Sequence, residues 1–350
     1  MQRNAPEDLD LVSWAPGKFW PPSKLNGYVY DVHAGVETYI YIIGEGLDYG
    51  HAEFVQSRRE NWFFGPNVLP TFRDDSSPNG YMTCVASKAS GWHSGVSKNS
   101  KLVVMKASHT LADNTWAFAR ILQDIISRQR QYKSVVLYPR CSIPLFEPGD
   151  APTEGWEYVL LLMQELLDRD VNIVTCAGDN DQWLIKKRRN VPDRFPATHS
   201  SDQFPIIVAG SVTKRGDRSK FSRGFHVSDL MAWAPGDGVE SWIPGDGVEC
   251  ASNTDSRYTK GRGTAFAAGM VAGMVAYYLD GRTPEQEHRG HFAAQMRRDI
   301  SKRYSRPLFS KPVPGISKPN IIWNLQDGSR DPNHSELQIF QPKISFNMST

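Results

Sequence analysis

Residues Gly261–Asp280, GRGTAFAAGMVAGMVAYYLD, constrain the chain more than any other stretch. A Gly-Thr turn opens a helix whose first turns are dominated by small residues: Ala265, Ala267, Ala268, Gly269, Ala272 and Gly273. The first N–H groups of a helix have no partner within it and point outward, which suits an anion or a developing oxyanion. Small side chains let the helix press close against a neighbouring strand. On composition alone this is a buried core helix with close packing.

A chain of 350 residues accommodates one large α/β domain or two ordinary ones. With 40% hydrophobic and 22% charged residues it has the composition of a globular protein with ample core. The formal charge of +2 exerts no general pull toward nucleic acid or membrane. No 18-residue apolar run exists, which argues against a membrane-spanning helix. The N-terminus, MQRNAPEDLDLVSW, lacks the apolar core of a signal peptide. The expectation is an intracellular protein, or a secreted one if a targeting segment was removed. Cys84, Cys141, Cys176 and Cys250 have no metal-ligand spacing, and two disulfides are compatible with them but not required.

Residues 1–37 are rich in Pro, Trp and Tyr without a sustained period and read as an ordered lead-in running over a surface. Thr38–Ile43 reads as a buried strand leading into Gly44-Glu45-Gly46. Asn79–Gly91 reads as a short helix after a turn signal, and Leu102–Met105 as the next strand. Asp113–Gln131 is amphipathic, with Phe118, Ile121, Leu122 and Ile125 on one face and Arg120, Gln123, Asp124 and Arg128 on the other. Strand Val135–Leu137, helix Trp156–Arg169, strand Asn172–Cys176 and strand Pro205–Val212 follow. Strands alternating with helices of these lengths argue for one predominantly parallel, doubly wound sheet. Such sheets place their sites outside the carboxyl ends of the strands, where Gly44-Glu45 and Gly178-Asp179 both fall, so a shared cleft is expected. PGDGVE occurs at Pro235–Glu240 and again at Pro244–Glu249, which reads as a loop embellishment. Lys186-Lys187-Arg188-Arg189 reads as a solvated loop, because no aromatics for base stacking are interleaved. From Ser305 the chain is rich in Pro, Lys and Ser, with Pro319–Asn324 as one anchored point, and residues after Gln326 read as peripheral.

The order of residues goes further than composition. Gly263, Thr264, Ala267, Val271, Ala272 and Gly273 match the pattern G-T-S-x-A-x-P-x-V-A-G of the serine loop and following helix of the subtilases, the subtilisin-like serine peptidases. The serine position holds Ala265, and Gly269 stands where the pattern has proline. In YIYIIGEGLDYGHAEF, Gly46, Asp48, Tyr49, His51, Glu53 and Phe54 resemble the first family signature, with Gly44 at the triad aspartate position and Glu45 for the threonine. In NGYMTCVASKASG, Thr83, Val85, Ala86 and Gly91 resemble the second, with Tyr81 at the histidine position and Met82 for the following glycine. In IVTCAGDNDQ, Gly178 matches the oxyanion strand, but its asparagine position holds Asp179. Ile206–Gly210, Phe221-Ser222 and Ala234-Pro235-Gly236 match further landmarks. Where the family presents a small-residue edge that pairs with substrate, this chain has Leu137-Tyr138-Pro139-Arg140, bulky and interrupted by a proline that cannot donate a ladder hydrogen bond.

The resemblance runs colinearly over roughly residues 38–325. It implies a subtilisin-like three-layer α/β fold, with a lead-in at 1–37, the subtilase-like domain at 38–325 and a tail at 326–350. Serine hydrolysis needs a nucleophile, a base, an orienting acid and oxyanion donors. Gly44 and Ala265 carry no functional group, a Tyr81 phenol is a poor base near neutrality, and Asp179 would oppose the developing oxyanion. Proteolysis by the family mechanism is therefore excluded on this reading.

Glu45, Tyr81 and Asp179 are expected to face one crevice with Tyr138 and Arg140. They read either as a new acid/base set or as drift with Glu45 simply solvated, and drift is the default. Cys84 or Cys176 as a nucleophile would need a base, with His93 the nearest candidate in sequence, and a buried structural role is the default for both. His51 reads as structural. No zinc spacing occurs, no cofactor is required, and calcium enters only as what the family resemblance allows, with no site assigned. The function expected is a non-proteolytic protein holding a peptide, a protein or a small molecule in the degenerate cleft, without nucleic acid or membrane. The alternative is an enzyme repurposed to a non-peptide substrate.

Overall fold

The computed structural model describes residues 1–14, 27–54, 59–70, 72–140, 154–179, 194–214, 216–223, 241–252, 257–280, 290–307 and 320–326. The basic run 186–189, the first PGDGVE copy, the landmark 234–236, Cys141 and the tail after Gln326 lie outside them.

Among the described residues, nine strands form one sheet. In chain order they are β1 (Tyr39–Gly44), β2 (Arg59–Phe64), β3 (Lys101–Lys106), β4 (Ser134–Tyr138), β5 (Asn172–Cys176), β6 (Ile207–Val212) and β7 (Ser241–Pro244), then, after a separate antiparallel ribbon of β8 (Asp246–Ala251) and β9 (Tyr258–Arg262), β10 (Ser305–Pro307) and β11 (Asn320–Ile322). The spatial order is β10-β11-β7-β6-β5-β4-β1-β3-β2. Every pairing in it is parallel except β10 with β11. Helices α1 (Glu7–Val12), α2 (Tyr81–Ser90), α3 (Leu111–Arg128), α4 (Trp156–Leu167), α5 (Thr264–Leu279) and α6 (Phe292–Lys302) complete the fold. The α/β, predominantly parallel architecture is the one expected.

Strand alternation divides the core into two layers. Ile40 and Ile42 of β1 and Val135 and Leu137 of β4 pack with α2 and α5. Tyr41, Ile43, Val136 and Tyr138 face the other way, toward Phe118 and Ile121 of α3 and Val159 and Met163 of α4. The small residues of α5 serve a helix as well as the sheet. A Cβ added at Gly269 would lie 2.4 Å from the Val85 carbonyl oxygen, and one at Gly273 2.4 Å from that of Ala89, so backbone-to-backbone approach is to α2 rather than to a strand.

Several expectations change. The lead-in does not merely cross the surface: Leu9, Leu11 and Val12 of α1 are fully buried, and Arg306 donates to the Leu11 and Trp14 carbonyls at 2.7 and 2.6 Å. The second PGDGVE copy is strand rather than loop, joining β7 to β8. Cys84 and Cys250 form a disulfide tying α2 to β8, and Cys176 is also disulfide-bonded, so neither Cys84 nor Cys176 is a nucleophile. His51 is structural: its Nδ1 accepts from the Glu53 N–H at 3.1 Å and its Nε2 faces the Arg257 carbonyl at 2.9 Å.

Candidate functional site

In the sheet, β1 lies between β4 and β3, so chain order reverses there, and a crevice opens beyond the carboxyl ends of the strands at such a point. A cavity of about 480 Å³ lies there, lined among others by Glu45, Tyr81, Met82, His109, Arg140 and Asp179, with Ala265 at its wall. Glu45 follows β1, His109 follows β3, Pro139 and Arg140 follow β4, Asp179 follows β5, and Ala265 lies in the first turn of α5.

Gly44 ends β1 in register with Lys106 of β3. A Cβ built there would sit 2.3 Å from Met82 Cε and 2.7 Å from its Sδ. The Met82 side chain, 2% exposed, thus fills the place a carboxylate at position 44 would take. The two positions share one space: a side chain at 44 and the Met82 side chain cannot both occupy it.

Tyr81 opens α2 and packs edge-to-face on Phe266, with ring centroids 5.1 Å apart. Burial, with the charges of Asp179 and Glu45 nearby, pushes its phenol well above the ordinary range, so it remains a protonated donor and no base. Asp179 does not face the cavity as a spare carboxylate. Its Oδ1 accepts the Thr264 N–H at 2.8 Å, at the opening of α5. Thr264 Oγ1 in turn accepts the Gly178 N–H at 3.1 Å. The end of the helix that suits an anion already holds one from the chain itself.

Arg140 is buried, and both terminal nitrogens of its guanidinium are engaged while its Nε has no partner. It donates to the Ala107 carbonyl at 2.6 Å, the Ser108 carbonyl at 2.5 Å and Asn114 Oδ1 at 3.1 Å, with Glu45 Oε1 at 3.4 Å. Glu45 Oε1 also lies 2.5 Å from His109 Nε2. Burial by itself raises the Glu45 pKa, but the His109 hydrogen bond and the Arg140 charge outweigh it and hold the carboxyl below its usual value. Glu45 is therefore an ionised, paired carboxylate rather than a solvated one.

Tyr138 is not part of the site. It is fully buried on the opposite face of the sheet, where its hydroxyl donates to Asn114 Oδ1 at 3.0 Å and its ring packs on Phe118. Alternation along a continuous strand would put Tyr138 and Arg140 on one face, but β4 ends at Tyr138, so the alternation does not carry on to Arg140. His109 was missed. The signal available for it was its place just past a parallel strand, the same signal that singled out Glu45. Among the described residues, no group of three or more His, Cys, Asp or Glu is placed to hold a metal ion.

Residues 37–300 match the profile of the Subtilase family. The chain is 27% identical over 284 residues to subtilisin-like protease 2 of Trichophyton rubrum, covering 79% of this chain and 58% of that protein. It is 28% identical over 284 residues to subtilisin-like protease 3 of Pseudogymnoascus destructans, covering 79% and 59%. Against the alkaline proteinase of Hapsidospora chrysogena the identity is 30% over 262 residues, covering 73% and 56%. The chain thus spans less than three-fifths of the length of these relatives. A crystal structure of a cold-adapted subtilisin-like serine proteinase shares the fold, with a TM-score of 0.62 at 22% identity over 93% of this chain and 100% of that one.

Proposed function

The chain belongs to the subtilase family, and from that premise we propose that it is a non-proteolytic member whose cleft holds a peptide, a protein segment or a small molecule without cleaving a peptide bond. By the motif resemblance Gly44, Tyr81 and Ala265 take the triad positions, and one observation supports the reading: the Met82 side chain fills the space beside Gly44 where a carboxylate would stand. A site that had lost only its nucleophile would keep that space open. The negative charge of Asp179 at the opening of α5 adds to this, because an oxyanion forming there would be repelled. In subtilisin itself, loss of a triad serine or histidine costs about 10⁶-fold in turnover, a figure that belongs to that enzyme.

The Cys84–Cys250 disulfide supports an oxidising compartment for the folded chain. The test is exposure of the purified protein to a fluorophosphonate probe and to a mixed peptide library. The expected result is no adduct in the cleft and no cleavage, and stoichiometric labelling of a cleft residue would overturn the reading. A second reading, chemistry on a non-peptide substrate, is favoured by one feature only, the pairing of Glu45 with His109.

A further inference from the structure

Glu45 Oε1 and His109 Nε2 lie 2.5 Å apart at the mouth of the cavity. An ionised carboxylate accepts and never donates, so Nε2 carries the hydrogen and the neutral ring keeps its lone pair on Nδ1. The carboxylate is not free to turn away. Arg140, pinned by the Ala107 and Ser108 carbonyls and Asn114 Oδ1, reaches the same Oε1 at 3.4 Å. The Glu45 side chain is 19% exposed and that of His109 58%, so support is inside the protein and the base meets solvent and cavity. A surface ion pair lacks both the buried arginine behind it and the cavity in front.

We propose that Glu45 and His109 form a general-base pair that hydrolyses small activated esters in this cleft, without a side-chain nucleophile. His109 Nδ1 takes a proton from a water molecule as the water oxygen bonds to the acyl carbon, and the carbonyl electron pair moves onto its oxygen. When that pair returns, the ester C–O bond breaks. The leaving oxygen takes the proton from Nδ1, or departs as an anion if it is a stabilised phenolate, in which case Nδ1 gives its proton to solvent water; the acyl group becomes a carboxylic acid. Nothing is oxidised or reduced. The donor assigned to the tetrahedral oxyanion is the Tyr81 phenol, which belongs to the wall of the same cavity and keeps its proton. His109 is the catalytic base, and Glu45 and Arg140 are positioning residues. Extended peptides are not the substrate, because Pro139 and the committed Arg140 stand where a strand would have to pair. A cavity of about 480 Å³ instead suits a small acyl ester.

The probe is p-nitrophenyl acetate, with nitrophenolate release followed over many turnovers so that one-time acylation of surface side chains drops out as a burst. The variants are His109→Ala, Glu45→Gln and Glu45→Asp, with His33→Ala as an exposed imidazole away from the cleft, all at unchanged melting temperature. The wild type should exceed His109→Ala by about 10²-fold, a typical general-base contribution, and its rate should follow one ionisation limb that His109→Ala lacks. Glu45→Gln should lose most of that rate and Glu45→Asp recover part of it, while His33→Ala matches the wild type. Equal turnover by the wild type and His109→Ala, or equal loss in His33→Ala, would overturn the proposal. Fluorophosphonate labelling would sink the non-proteolytic reading and leave this one standing, and ester turnover independent of His109 would do the reverse.

Discussion

The pairing of Gly44 with Met82 can be measured as a coupling energy. A methyl group at Gly44 would lie 2.3 Å from Met82 Cε, 2.7 Å from Sδ and 3.0 Å from Cγ, all well inside the ~3.5–4.0 Å of comfortable carbon contacts. Met82 sits in the core layer shared with Ile42, Val85 and α5, and its N–H is held by Ser77 Oγ at 2.9 Å, so the thioether must leave its rotamer to make room. Overpacking of this kind costs about 1–3 kcal/mol. Gly44 is not in the left-handed region, so alanine there also regains roughly 0.5–1 kcal/mol of unfolded-state entropy, which leaves Gly44→Ala destabilising by roughly 0–2.5 kcal/mol. Met82→Ala alone should cost about 2–5 kcal/mol through the cavity it opens. In the double variant the new methyl enters that cavity, so the pair should be less destabilised than the sum by about 1–3 kcal/mol. Guanidinium denaturation followed by tryptophan fluorescence, with the disulfides intact, yields all four stabilities. Additivity within ~0.5 kcal/mol would show that Met82 does not occupy the space beside Gly44.

The same geometry governs attempts at restoration. The four-site variant Gly44→Asp, Tyr81→His, Asp179→Asn, Ala265→Ser should remain inactive on peptide substrates while Met82 is present, and family-like turnover without Met82→Gly would refute that. Asp10, buried beside Asp8 with one carboxylate oxygen unbonded, has its pKa raised by burial first and by the Asp8 charge second, from 3.8 to about 7. An acid raised in the folded state costs stability progressively as pH climbs from 3.8 to about 7 and fully above that, so Asp10→Asn should stabilise at pH ~8 by up to about 4 kcal/mol and do little at pH ~3.5; a gain of equal size at both pH values would contradict it. Replacing both Cys84 and Cys250 by serine releases a closure over 166 residues and should cost about 5 kcal/mol in the chain-entropy account, read as a drop in the guanidinium midpoint. An unchanged midpoint would show the bond to be dispensable for the fold.

The sequence by itself determined the parallel α/β sheet and the family resemblance, because both are local signals. Runs such as Tyr39–Gly44 and Asn172–Cys176 are buried on both faces and carry their own apolar continuity, and the motif order registers Gly44, Tyr81, Asp179 and Ala265 without any knowledge of contacts. Strands as short as Ser241–Pro244, Ser305–Pro307 and Asn320–Ile322 were not legible, since three or four residues hold too little period and their partners come from distant parts of the chain. Tertiary structure alone decided what the cleft contains. It turned Tyr138 to the far side of the sheet, moved Met82 into the space beside Gly44, and spent Asp179 on the opening of α5. Only the sheet order, which sets β1 between β3 and β4, brings His109 and Arg140 onto Glu45, and no local pattern in a linear chain encodes which strand ends will meet.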